Sequence, residues 1–234
     1  MKYYEEYENI YLEKYLKGDF LRPKGTHLQT LFEEASAHFS ALNSSLQILE
    51  WGCGLSSIFE NIFHPNNYFI TAIDISQTAI DLAKRFSQNE TISYLQADLL
   101  DWGRFSYYDF IIDGHALGRM GVEEDFIMAV QGAYHSLSTD GVFAFELGVG
   151  HDELSLSDSY LLVDQTFFLH RKNQRPFPAH FLPRALWLED LLKKLGFEII
   201  YFKVFDDQYF IFDETVETRF NPRLLRAVCK KRIS

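Results

Sequence analysis

The sequence predicts a three-layer α/β domain built on a mostly parallel sheet, and three observations carry that prediction. From residue 46 onward short apolar runs alternate with helical stretches, the rhythm of strands joined by crossover helices. A glycine-rich turn, Trp51-Gly52-Cys53-Gly54, follows the first apolar run, and open α/β sheets bind ligands beyond the carboxyl ends of their strands. Hydrophobic residues make up 47% of the 234 residues and aromatic residues 16%, which fills one large interior, while the chain is too short for two full-sized domains.

Residues 1–44 read as an N-terminal helical cap. Tyr4, Tyr7, Tyr11, Tyr15 and Leu16, then Leu28, Leu31, Phe32 and Ala35, follow helical rather than strand spacing, with breaks at Gly18 and Pro23-Lys24-Gly25. Such a cap either crosses the mouth of the site or covers a sheet edge. The main domain, 45–234, opens with a strand at 46–50 and a helix at 55–64 closed by Pro65. A strand at 68–73, a helix at 76–87 opened by the serine cap Ser76, and a strand at 92–96 follow. Next come a strand at 108–112, a helix at 122–137, the turn Ser138-Thr139-Asp140-Gly141 and a strand at 142–146. Around 148–182 lies an insertion too long for a simple connection, with Pro176-Phe177-Pro178 and an extended stretch at 160–163, which builds either an acceptor pocket or a surface flap. A helix at 183–195, with Pro183 in its first turn and Gly196 at its end, leads to strands at 197–205 and 224–231.

A formal net charge of −11 repels phosphate backbones and anionic headgroups, which argues against a broad nucleic-acid or membrane footprint. The basic runs 170–175 and Lys230-Lys231-Arg232 are short enough to be solvated faces. Cys53 and Cys229 are far apart in sequence, and a disulfide at Cys53 would obstruct the glycine turn, so both are expected as free thiols in a reducing compartment. The first residues hold no signal-like apolar stretch and no run is long enough to span a bilayer; the expected location is the cytoplasm.

In Ile48-Leu49-Glu50-Trp51-Gly52-Cys53-Gly54-Leu55-Ser56, Gly52 and Gly54 let backbone approach a ligand closely, and Glu50 sets a carboxylate beside the turn. A dinucleotide fingerprint wants glycine at the sixth position, where Ser57 stands, and an acid before the glycines opposes a diphosphate. The turn suits a cationic, phosphate-free cofactor.

This segment resembles motif I of the class I S-adenosylmethionine-dependent methyltransferases, acidic-x-Gly-x-Gly-x-Gly, with Ser56 in place of the third glycine. Further matches follow in order: Ala72-Ile73-Asp74-Ile75-Ser76, Tyr94-Leu95-Gln96-Ala97-Asp98-Leu99, the motif IV-like Tyr108-Asp109-Phe110-Ile111-Ile112-Asp113-Gly114-His115, and Leu137-Ser138-Thr139-Asp140-Gly141-Val142-Phe143. The resemblance implies a Rossmann-like sheet of seven strands, mostly parallel with the last antiparallel, and S-adenosylmethionine as cofactor with S-adenosylhomocysteine as product. It implies that Glu50, Gly52, Cys53 and Gly54 form the cofactor turn, and that Asp74 accepts from both ribose hydroxyls with Ile75 against the adenine. It further implies that Asp98 receives the adenine amino group, that the Leu99 backbone amide meets the ring, and that Asp113 lines the cofactor site. Asp74 and Asp98 as plain helix caps is the competing reading.

Methyl transfer from a sulfonium needs alignment and, for some acceptors, removal of a proton, but no metal or covalent residue. His115 is the candidate base, because imidazole changes charge near neutral pH; a structural hydrogen bond or a pocket wall is its alternative role. Cys53 is read as a small filler. The sequence offers no ligand cluster for a metal. Motif IV lacks an Asn-Pro-Pro-Tyr or Asp-Pro-Pro-Tyr signature, and the aromatic residues of the cap and insertion suit a small organic acceptor. The expected function is therefore methyl transfer to a small molecule. Protein or RNA methylation, or a noncatalytic cofactor-binding subunit, are the alternatives, and oligomeric state stays open.

Overall fold

The structure, a computed structural model, describes residues 4–17, 26–39, 45–60, 68–103, 106–156, 160–163, 166–169, 180–210 and 217–232. Outside them lie the breaks at 18 and 23–25, the expected end of the first core helix at 61–65, the basic run at 170–175 and Pro176-Phe177-Pro178.

Two helices come first, α1 (Tyr4–Leu16) and α2 (Thr26–Ser36). There follow β1 (Leu46–Trp51), β2 (Tyr68–Asp74), α3 (Gln77–Phe86), β3 (Ile92–Gln96), β4 (Tyr108–Asp113), α4 (Glu123–Ser136) and β5 (Leu137–Val149). The hairpin β6 (Tyr160–Val163) and β7 (Thr166–Leu169) forms its own two-stranded sheet, and α5 (Ala185–Lys194), β8 (Phe197–Tyr209) and β9 (Arg223–Lys231) complete the described elements.

The main sheet has seven strands in the order β3-β2-β1-β4-β5-β9-β8. Parallel pairs join β3 to β2, β2 to β1, β1 to β4 and β4 to β5, while β9 runs antiparallel between β5 and β8. Six strands therefore share one direction and the last in the chain is reversed, as the sequence predicts. After β1 the chain winds outward through β2 and β3, then returns to β4 on the other side. This switch lies at the carboxyl ends of β1 and β4, where open α/β sheets take their ligands.

Strand alternation sorts the core into two layers. Leu49, Trp51, Ile111, Phe143 and Phe145 face α4 and α5 and pack with Phe126, Ala129, Val130, Leu188 and Leu192. Ile48, Ile70, Phe110 and Ala144 face the other way, against Leu31, Phe32 and Ala35 of α2 and Ile80 and Ala83 of α3. Ser76 caps α3 by accepting from Ala79 N, and Glu123, Glu124 and Asp125 place acid on the first turn of α4, where it complements the helix dipole.

Three boundaries differ from the sequence expectation. In place of a helix from residue 55, the described part holds only a 3-10 turn, Ile58–Glu60. Side-chain bonds tighten it: Ser57 Oγ donates to Glu50 Oε2 and accepts from Phe59 N, an arrangement that competes with a regular helical ladder. The expected turn at 138–141 is absorbed into β5, where Asp140 keeps φ +64° and the β4–β5 register shifts, the mark of a bulge. β8 runs on to Tyr209, paired with Arg223. Among the described residues no helix is long and apolar enough to cross a membrane.

Candidate functional site

The glycine turn sits at the switch point and adopts the backbone its sequence anticipates. Gly52 and Gly54 have φ of +64° and +56°, in the left-handed region. Both are also closely approached. A Cβ on Gly52 would lie 2.8 Å from Ala116 Cβ, beyond β4, and one on Gly54 would lie 2.8 Å from the Tyr11 hydroxyl of α1. Cys53 donates its N–H to Ile73 O at 3.0 Å and buries its thiol in the α2/α3 layer, with burial holding the thiol well above its ordinary pKa.

Asp74, at the end of β2, ties this turn to the next strand. Its Oδ2 accepts from Gly54 N and its Oδ1 from Ser76 N, both at 2.9 Å. Burial raises its pKa, and the backbone bonds from Ser76 and Gly54 act in the opposite sense. A backbone bond from Ile75 also reaches the carboxylate, whose two oxygens together can accept about four. Asp98, beyond β3, is nearly as buried and accepts from Leu100 N at 3.0 Å through Oδ1. Ile75 and Leu99, the residues after these two acids, pack half-buried against the α4/α5 layer. Helix α1 lies across the same edge: Glu8 accepts from Ser76 Oγ at 2.7 Å, Thr78 Oγ1 at 2.5 Å and Thr78 N at 3.2 Å.

Glu50 is 1% exposed, and both its oxygens are turned toward the 3-10 segment, accepting from Ser57 Oγ and from Ile58 N at 3.1 Å. Burial pushes its pKa up to about 7 despite those bonds. The folded protein thus keeps a proton here that the unfolded chain, with an ordinary value of 4.5, has released. The stability this proton confers is full below about pH 4.5 and is lost as pH rises through about 7, a change of about 3 kcal/mol. Glu50→Gln is expected to remove that much of the pH dependence. Urea unfolding at about pH 5 and about pH 8 measures it, and an unchanged difference between the two would place the titration elsewhere.

The exit from β4 carries the remaining predicted residues. Asp113 is fully buried; its Oδ1 accepts from Ala116 N and Leu117 N, both at 2.9 Å, while its Oδ2 is buried without a hydrogen-bond partner. Burial pushes this carboxyl up to about 6, against the opposing bond from Leu117 and the His115 charge. Gly114 N donates to Trp51 O at 2.7 Å, which fastens β4's exit to the glycine turn. His115 follows with φ +75°, a backbone conformation that costs a non-glycine residue on the order of 1–3 kcal/mol. Its Nε2 stands 2.9 Å from Glu146 Oε1, and Arg226 Nε donates to Glu146 Oε2 at 2.9 Å. Burial would raise Glu146, but the bonds and charges of His115 and Arg226 outweigh it and hold the carboxyl below its ordinary range.

Residues 49–145, from within β1 into β5, match the family model described as a methyltransferase domain. That match and the sheet order support the class I S-adenosylmethionine-dependent methyltransferase superfamily. Among similar methyltransferases is a ubiquinone biosynthesis O-methyltransferase of Rickettsia akari (strain Hartford), 28% identical over 103 residues, covering 43% of this chain and 41% of that one. A malonyl-[acyl-carrier protein] O-methyltransferase of Bacillus anthracis is 29% identical over 120 residues, covering 50% of this chain and 42% of that one. The matched segment thus spans less than half the length of either relative. In fold the chain is similar to the 1,6-didemethyltoxoflavin-N1-methyltransferase of Burkholderia thailandensis, solved with 1,6-didemethyltoxoflavin and S-adenosylhomocysteine bound. That TM-score is 0.65 at 13% identity, covering 99% of this chain and 90% of that one.

The methyltransferase segment contains every site residue that the sequence singles out, from Glu50 to His115. The structure brings Gly52, Gly54, Asp74, Asp113 and His115 to one edge of the sheet, and turns Glu50 and Cys53 inward. Sequence reasoning missed Glu8, Glu146 and Arg226, and read Tyr11 only as one of the cap aromatics suited to an acceptor. Lone charges in apolar runs, Glu146 after Val142-Phe143-Ala144-Phe145 and Arg226 between Leu225 and Ala227, were the available signal for those two. Nothing in the sequence marks Glu8.

Proposed function

We propose that the protein is an S-adenosylmethionine-dependent methyltransferase acting on a small-molecule acceptor. The observation that carries the reading is the Asp74 carboxylate bonded to Gly54 N of a left-handed glycine turn, at the switch point of a methyltransferase-type sheet. The edge fits a cationic, phosphate-free cofactor. Asp74, Asp98, Asp113 and Glu146 gather acid there, and the buried, unpartnered Oδ2 of Asp113 has acceptor capacity to spare.

In this reading Asp74 takes the ribose hydroxyls with its remaining acceptor capacity, Ile75 borders the adenine, and Asp98 and the Leu99 amide meet its polar edge. Gly52, Cys53 and Gly54 supply backbone, and Glu50 contributes by bracing the turn from inside. Asp113 lines the floor through the loop it caps, and α1 covers the turn as part of a cap at 1–44. When bound, the cofactor supplies a methyl group already activated on sulfur, so the protein's task is alignment, exclusion of water and, at His115, acceptance of a proton. A net charge of −11 and the ubiquinone-biosynthesis relative support a small acceptor over a nucleic acid. Two buried free thiols accord with a cytoplasmic location.

Calorimetry with S-adenosylmethionine and S-adenosylhomocysteine tests the site, and transfer of labelled methyl into the small-molecule fraction of a cell extract tests turnover. Binding of both with label in small molecules is expected. Absence of binding overturns the reading, and label confined to protein or RNA overturns the acceptor class.

A further inference from the structure

We propose that Glu146, clamped by Arg226, is a positioning residue that fixes the imidazole of His115 as a proton acceptor for an acidic hydroxyl, phenolic or enolic, on the methyl acceptor. The proposal rests on the methyltransferase reading above and adds to it the device that prepares the base and the acceptor chemistry that device suits.

Three observations converge. His115 lies between Gly114 and Ala116, which both touch the glycine turn, and it is held at φ +75°. Backbone strain at a partly exposed histidine next to the switch point points toward function. Its ring is bonded through Nε2 to Glu146, whose side chain is only 3% exposed, and that carboxylate is closed on its far side by Arg226, 7% exposed. Arg226 also reaches Glu34 of α2 at 3.8 Å, so the clamp is anchored from a third element. An ionised carboxylate accepts the Nε2 proton, and that choice of tautomer leaves Nδ1 as the lone-pair nitrogen. Glu146 keeps its charge because Arg226 and His115 both favour the ionised form. Phe210 packs perpendicular to the imidazole with ring centroids 5.1 Å apart, giving the base an apolar neighbour.

The chemistry selects the acceptor. The hydroxyl proton passes to His115 Nδ1, the oxygen pair forms the bond to the methyl carbon, and the carbon–sulfur pair leaves with sulfur as a neutral thioether. General-base catalysis works best when the acidities of donor and base are close, so imidazole suits a phenol or enol better than an aliphatic alcohol. A carboxylate acceptor has no proton to give, and an ammonium acceptor beside Glu146 and Asp113 would be held in its protonated, non-nucleophilic form.

The test uses the whole chain with nitrogen-labelled histidine. Long-range proton–nitrogen correlation at about pH 8, assigned by the signal lost in His115→Asn, should show the Nε2–H tautomer in the parent and a shift toward Nδ1–H in Glu146→Gln. Asparagine tolerates the left-handed backbone, so that variant keeps the loop. Calorimetry on the same samples should give S-adenosylhomocysteine affinities within about threefold of one another. With labelled S-adenosylmethionine and a series of ring-substituted phenols, Glu146→Gln should lose about 10²–10⁴-fold in kcat on the least acidic and recover toward the parent on the most acidic. An Nδ1–H tautomer in the parent, a loss uniform across the series, or a parent that methylates none of the phenols overturns the proposal. Failure of the parent to bind S-adenosylhomocysteine overturns the methyltransferase reading itself, and this proposal with it.

Discussion

Arg226→Leu is expected to lower the free energy of unfolding by about 3–5 kcal/mol, among the largest effects available to a single substitution in this chain. The guanidinium is 7% exposed and hydrogen-bonded at 2.9 Å to a carboxylate that is 3% exposed. Removing the cation leaves Glu146 buried, charged and short of a partner, because His115 satisfies only Oε1. Placing leucine at both Arg226 and Glu146 is expected to recover most of the loss, since replacing both partners leaves no uncompensated charge. In urea unfolding the two single variants and the double form a thermodynamic cycle. A cost for Arg226→Leu below about 0.5 kcal/mol, the range of ordinary surface changes, would show that the pair does not hold these strands together.

Asp74→Ala is expected to weaken S-adenosylhomocysteine binding about 100-fold, read by calorimetry on protein shown to be folded by its thermal transition. The carboxylate bonds Gly54 N and Ser76 N in the free protein, and hydrogen bonds to a charged group contribute about 1.5–3 kcal/mol each. The substitution therefore loosens the turn as well as removing the proposed ribose acceptor. Asp74→Asn, which keeps one oxygen, should fall between. An affinity within twofold of the parent for Asp74→Ala would move the cofactor elsewhere. Gly52 is a poorer probe, because any side chain there meets Ala116 Cβ at 2.8 Å and disturbs the fold before it meets a ligand.

The strands were legible because those buried on both faces read as unbroken apolar runs. Phe110, Ile111 and Ile112 are all fully buried, two facing one helix layer and one the other. The glycine turn and the acids at strand ends were legible because their chemistry is local: a left-handed φ needs glycine, and a strand followed by a cap needs an acceptor. What was not legible depends on distance along the chain. The 3-10 turn after β1 follows from a buried Glu50 reaching forward to Ser57 and Ile58, and from sequence alone that carboxylate reads as facing a ligand. Glu146 and Arg226 are 80 residues apart and meet only because β9 enters the sheet antiparallel in one register. The contacts of Glu8 and Tyr11 depend on where α1 docks, which its tyrosine spacing does not specify.

The two cysteines occupy opposite sides of the sheet, Cys53 in the glycine turn on the α2/α3 side and Cys229 within β9 on the α4/α5 side. Both are buried and neutral, so neither reacts with a thiol reagent until its surroundings open. The chain therefore carries two built-in reporters of different events. Labelling of Cys53 follows local breathing of the turn and is slowed by whatever ligand closes it, whereas labelling of Cys229 waits for the central sheet to come apart.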